Sequence, residues 1–144
     1  MSFQAIRKFF EMPIKVGIAT VDPTIKVLTD NELYTDDDAD TDFVLVRLNF
    51  GATQEPTFCG PVERLRGSLV IEIFTRKGQG PGRGQRIAAE VMKELNKMPR
   101  HLNDTVAGTV SGGVNSITGP SFSALDGRPH FFTRLSCSIQ AAYS

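Results

Sequence analysis

Residues 131–143 alternate more strictly than any other part of the chain. Phe131, Leu135, Cys137, Ile139, Ala141 and Tyr143 fall on one side of an extended backbone, with Phe132, Arg134, Ser136, Ser138 and Gln140 on the other. A period of two fits a pleated strand with one buried face and does not line one face of a helix. Two earlier runs share the pattern. In residues 43–50, Val44, Val46, Leu48 and Phe50 form the more apolar face, opposite Phe43, Leu45 and Arg47. In residues 64–75, Leu65, Gly67, Leu69, Ile71 and Ile73 share one face; Arg64, Arg66, Ser68, Glu72 and Phe74, with Val70 among them, share the other. Antiparallel pairing of these two runs, joined by a Gly, Gln and Pro-containing connection, is the natural arrangement.

Two segments follow the helical period instead. Ser2 caps a helix over residues 3 to about 12, in which Phe3, Ile6 and Phe10 recur at helical spacing beside Phe9, and Pro13 ends it. Ile14, Val16 and Ile18 then alternate with Lys15 and Gly17 and read as a half-buried strand leading past Pro23 toward Ile25 and Val27. Gly78, Gly80, Pro81, Gly82 and Gly84 read as a flexible loop. The helix after it spans residues 86–98, with Ile87, Ala88, Val91, Met92, Leu95 and Met98 on its stripe and Pro99 at its end. Residues 106–143 read as β-rich, with Gly112-Gly113, Gly119-Pro120 and Asp126-Gly127 as turns. The order helix, strands, helix, strands predicts one α+β domain over residues 1–144. Its sheet is mainly antiparallel or mixed, with two helices packed on one face and extended loops.

Composition supports a globular chain. At 144 residues, with 40% hydrophobic and 22% charged residues, it is long enough for one packed core and too apolar for disorder. Sixteen Lys and Arg offset 16 Asp and Glu, which argues against a generally basic nucleic-acid binder. Arg7, Lys8 and Glu11 interrupt the N-terminal region, so no secretory signal is expected there, and no apolar run approaches the ~20 residues of a membrane span. Cys59 and Cys137 lie far apart and are expected as reduced, partly buried thiols.

Candidate chemistry fails on spacing. Asp36, Asp38 and Asp40 have the first three ligand positions of an EF-hand, but Thr41 stands where Gly is needed and Arg47 where the bidentate Glu is needed. Arg83 spoils both glycine-rich nucleotide fingerprints in the loop before the second helix. His101 and His130 have neither a triad's nor a zinc module's local spacing. The expectation is a protein without catalytic residues, metal or cofactor.

Charge segregation is the remaining signal. Seven of the 16 acids lie in residues 30–42, read as an exposed acidic loop, whereas Arg64, Arg66, Arg76, Lys77, Arg83 and Arg86 occupy the central strand, arm and helix start. If the two regions lie on opposite edges, Asp36, Asp37, Asp38 and Asp40 of one subunit would meet those bases on the next, and the head-to-tail contact could close a ring.

The run Arg66-Gly67-Ser68-Leu69-Val70-Ile71-Glu72-Ile73-Phe74, the Gly-rich break and the helix to Met98 resemble the central unit of the bacteriophage tail terminator-like family. The ending, Gly119-Pro120-Ser121-Phe122 and then Phe132 to Tyr143, resembles the same family, as does the N-terminal helix with Ala5-Ile6. The Asp-rich loop and residues 102–118 depart from it and inherit no role. The resemblance implies a structural virion protein of tail and neck, assembled in the host cytoplasm. Such a protein forms a homo-hexameric ring that caps the head-proximal end of the tail tube and stops its polymerisation. Its implied partners are the tail tube protein, a head-tail connector or stopper, the sheath where there is one, and DNA passing through the lumen without sequence-specific binding; no membrane is involved. A neck stopper or other head-tail connector is the nearest alternative, and a small phosphate-binding enzyme a more distant one.

Overall fold

The structure is a computed structural model and describes residues 3–29, 42–56, 63–76, 82–97, 101–104, 108–124 and 130–143. Helix α1 spans Phe3–Val21 and is followed by strands β1 (Lys26–Leu28), β2 (Phe43–Pro56) and β3 (Glu63–Arg76). Helix α2 (Gly82–Asn96) precedes β4 (His101–Asp104), β5 (Gly108–Ala124) and β6 (His130–Tyr143). The strands form one mixed sheet in the order β1-β2-β3-β6-β5-β4, antiparallel except for the β1–β2 pair. The result is the expected α+β architecture.

Sheet register explains the core. Val44, Val46 and Leu48 pair with Ile73, Ile71 and Leu69, which pair in turn with Thr133, Leu135 and Cys137. Residues directly opposite share a face, so these rows make one apolar surface. It is buried against Ile6, Phe9, Phe10, Ile14 and Ile18 of α1 and Ile87, Ala88, Val91 and Leu95 of α2. Each fully buried aliphatic side chain contributes roughly 1.5 to 3 kcal/mol. The Cys137 thiol faces this core, and burial pushes its pKa up to about 11; Cys59 lies outside the described residues. A smaller apolar cluster forms on the opposite face of the sheet, from Leu28, Phe43 and Phe74 with Leu45 and Phe132. Phe43 stacks on Phe74 at 4.7 Å between ring centres.

Several local expectations fail for identifiable reasons. Pro13 does not end α1; it lies inside it. Ile14 and Ile18 are buried helix residues, and Val16, the residue that made the run look alternating, is 51% exposed. Ile6, Phe10, Ile14 and Ile18 recur every four residues, so burial against α2 outweighs the hydrogen bond that proline cannot donate. Gly17 lies in the same helix, and a Cβ there would sit 2.9 Å from the Glu90 carbonyl oxygen, so the two helices cross closely at this point.

Gly82 and Gly84 belong to α2 rather than to the loop before it. Gly112-Gly113 and Gly119-Pro120 lie within β5 instead of forming turns. The β5–β6 register shifts between Asn115 and Thr118 and between Thr118 and Ser121, and Gly119 has φ of 113°, so irregular pairing absorbs what looked like turn chemistry. The Gly, Gln and Pro after residue 50 likewise continue β2 through two register shifts. Asp126-Gly127 and Met98 lie outside the described residues.

Candidate interaction surface

Arg83, the second residue of α2, joins three elements. Its Nε donates to Oδ2 of Asp42, just before β2, and its Nη2 donates to Oδ2 of Asp22, just after α1, at 2.9 Å. The β2–β3 register sets this up by pairing Phe43 with Phe74, which leaves Asp42 beside the end of β3. There the Arg76 backbone N–H donates to Asp42 Oδ1 at 2.9 Å, and Arg76 Nε lies 3.8 Å from the same oxygen. Asp42 is therefore buried, whereas the sequence reading placed it in the exposed acidic loop. A buried carboxylate needs donors of this kind.

Asp22 is fixed from its other side by Thr24, whose hydroxyl and backbone N–H donate to Oδ1 at 2.7 and 2.9 Å. These bonds, followed by the one from Arg83, lower the Asp22 pKa from 3.8 to about 2. The Asp22 hydrogen bond in turn raises the pKa of Arg83. A depressed carboxyl pKa stabilises the fold above the unfolded-state value, and that contribution fades as pH falls from about 4 toward 2. Asp22→Asn should therefore be less stable than wild type above pH 4, with the two converging near pH 2 in acid-titrated melts. A constant difference across that range would remove Asp22 from the acid response.

Chemically, the corner is a closed charge cluster. One guanidinium is divided between two carboxylates, so the arginine at the start of α2 is committed to its own chain. Beneath that start, Gly84 packs on Thr133: a Cβ at Gly84 would sit 2.6 Å from Thr133 Oγ1. That hydroxyl is fully buried without a hydrogen-bond partner among the described residues. Thr133→Val keeps the shape and removes an unpaired polar group, with an expected gain of about 1 kcal/mol, a rise of roughly 3 to 5 °C in Tm. A fall in Tm would mean that the hydroxyl is satisfied.

The basic set named by the sequence thus divides. Arg76 and Arg83 bind acids of their own chain. Arg66 is exposed on β3, Arg64 lies two residues before it in the same strand, and Arg86 is exposed on α2. Asp36, Asp37, Asp38, Asp40 and Lys77 lie outside the described residues. The sequence reading missed Asp22 and Asp42. Asp22-Pro23-Thr24 carries a turn signal that could have pointed to the first, whereas only the β2–β3 register reveals the second. Among the described residues no cluster of three His, Cys, Asp or Glu side chains could hold a metal, and no helix is long and apolar enough to cross a membrane.

These features define an α+β protein with a two-helix layer on one face of a six-stranded sheet and a smaller apolar cluster on the other. No protein-family model and no curated protein matches the sequence. The chain is similar to a solved structure designated by a sequence label alone, at 18% identity and a TM-score of 0.65, covering 100% of this chain and 96% of that one. At that identity the likeness is one of fold.

Proposed function

We propose that this protein is a tail terminator of a tailed bacteriophage: a ring-forming structural protein, not an enzyme, that caps the head-proximal end of the tail tube and joins it to the head. The resemblance of Arg66 to Phe74, the following helix and the closing strand to that family carries the reading. The order of α1, the β2–β3 hairpin, α2 and the β5–β6 pair is compatible with it.

Within this reading, subunits meet head to tail through charge. With Arg76 and Arg83 bound inside the chain, exposed Arg86 on α2 is well placed to receive the acidic segment of a neighbour. Light scattering on the purified protein, together with electron microscopy after mixing with tail tubes, tests the proposal. A ring-sized oligomer and a cap at one tube end are expected. A monomer that leaves tube ends bare and melts higher with nucleotide would favour the enzyme alternative instead. Reversal of Asp36, Asp37 and Asp38 to Lys should weaken ring assembly and make it more salt-sensitive; unchanged assembly at low salt would eliminate the acidic segment as the contact.

A further inference from the structure

We infer that the outward face of α1 is the docking site for the acidic segment, residues 30–41, of a second copy of this chain. Lys8, Met12, Lys15, Val16 and Ala19 recur at helical spacing on the side of α1 away from the core, and all are exposed. Met12 is 46% and Val16 51% exposed, and no other large hydrophobic side chain among the described residues is exposed. They lie one turn apart, so the exposed apolar surface is gathered on this helix. Beside Met12 an open groove of about 260 Å³ is lined by Gln4, Lys8 and Lys15 together with Arg7 and Glu11. Arg7 and Glu11 pair with each other at 3.3 Å, and the Arg7 guanidinium also lies over the Phe50 ring, so these two charges are used within the chain. Neither Lys8 nor Lys15 has an ion-pair partner among the described residues.

The chemistry of the face selects its occupant. Two ammonium groups roughly 10 Å apart along a helix, with apolar side chains between and beside them, match carboxylates that flank an apolar residue. Residues 30–41 have that composition: Leu33-Tyr34 stands between Glu32 and Asp36-Asp37-Asp38, with Asp30 before and Asp40 after. A phosphate polymer would leave Met12 and Val16 without apolar partners, and α1 packed on α1 of a second copy would set lysines against lysines. Arg83 with Asp22 and Gly17 with Glu90 fix the two helices antiparallel, so Arg86 lies alongside the C-terminal half of α1. The inference rests on the head-to-tail contact proposed above and extends its receiving surface from Arg86 to α1. Burial of Met12 and Val16 adds an apolar contact that salt does not screen.

Light scattering of the full chain across protein concentration tests the contact, and a labelled peptide of residues 30–41 tests the docking itself by fluorescence anisotropy. The peptide is titrated with the chain carrying Asp36→Lys, Asp37→Lys and Asp38→Lys, whose own segment cannot compete. Adding Lys8→Glu with Lys15→Glu should weaken peptide binding roughly tenfold or more. Met12→Gln with Val16→Gln should weaken it roughly fivefold and leave its salt dependence unchanged. Lys93→Glu with Lys97→Glu, exposed at the end of α2, should alter neither. In the chain with its native acids, Lys8→Glu with Lys15→Glu should shift assembly to higher protein concentration, and reversing Asp36, Asp37 and Asp38 as well should restore it, which a folding defect cannot do. The inference is overturned by a protein that stays monomeric, by no peptide binding, by equal losses in the α1 and α2 lysine variants, or by assembly that responds to Arg86→Glu but not to the α1 variants. That last result would leave the head-to-tail reading intact and return the contact to α2. Self-association that depends on α1 in a protein that leaves tube ends bare would instead sink the tail-terminator reading and keep this docking site.

Discussion

Gly67→Ala is expected to lower Tm by about 10 °C or more, and Gly67→Val to prevent recovery of folded protein. Gly67 lies on β3 between Phe50 of β2 and Ile139 of β6, directly before the first register shift of the β2–β3 pair. A Cβ built there lies 2.1 Å from the Asn49 carbonyl oxygen and 3.2 Å from its carbon. These are backbone atoms, so no rotamer change relieves the clash and the strands themselves must separate. The pairs nearest the opening are Asn49 with Ser68 and Leu48 with Leu69, and both leucines belong to the main core. Loss of well-packed neighbours on top of overpacking costs about 3 kcal/mol or more, out of a total stability of roughly 5 to 15 kcal/mol. Gly82→Ala is the control, because nothing lies within 4 Å of a Cβ at that position. Thermal melts by circular dichroism decide the matter: a Gly67→Ala variant melting within 2 °C of wild type would show that β2 yields at its irregular end.

The contrast between these two glycines explains how far sequence alone could be read. Periodicity reports which side of an element is apolar, and that sufficed for β3, β6 and α2, where Ile71, Leu135 and Val91 are buried as their spacing requires. It failed for residues 14–18 because positions 14 and 18 satisfy both a period of two and a period near four. Only Val16 distinguishes the two, and its exposure is a fact of packing. Glycine and proline in β5 read as turns because local chemistry does not show that a partner strand accommodates irregular pairing. The same limit applies to the charged groups. Arg83, Asp42 and Asp22 are separated along the chain by 41 and 61 residues, so their convergence is a consequence of topology. The convergence of Arg76 and Arg83 on Asp42 could not be read from any local run for the same reason.

Asp42→Ala should detach the start of α2 from the sheet and destabilise the protein by about 2 to 3 kcal/mol. Breaking a buried pair by removing one partner costs roughly 3 to 5 kcal/mol, and the smaller value applies here because water screens the partner. The Asp42 side chain is only 5% exposed, whereas that of Arg83 is 30% exposed. Alanine leaves the Arg76 N–H without its acceptor and leaves Arg83 to Asp22 alone. Asp42→Asn retains an oxygen for the Arg76 N–H but loses the charge opposite Arg83, so stability should fall in the order wild type, Asn, Ala. The loss is local before it is global: amides in the first turn of α2 should exchange with solvent faster in both variants, while those of β6 keep their protection. A double-mutant cycle with Arg83→Gln should return a coupling of about 1 to 2 kcal/mol, since the two side chains touch. Additive effects and unchanged exchange at α2 would mean that the helix is held by Ile87, Ala88, Val91 and Leu95 alone. If the coupling is present, Asp42 is anchored to the same joint as the start of α2. In the proposed ring, Asp42→Ala should then weaken subunit assembly at temperatures well below its melting point, with every surface acid still in place.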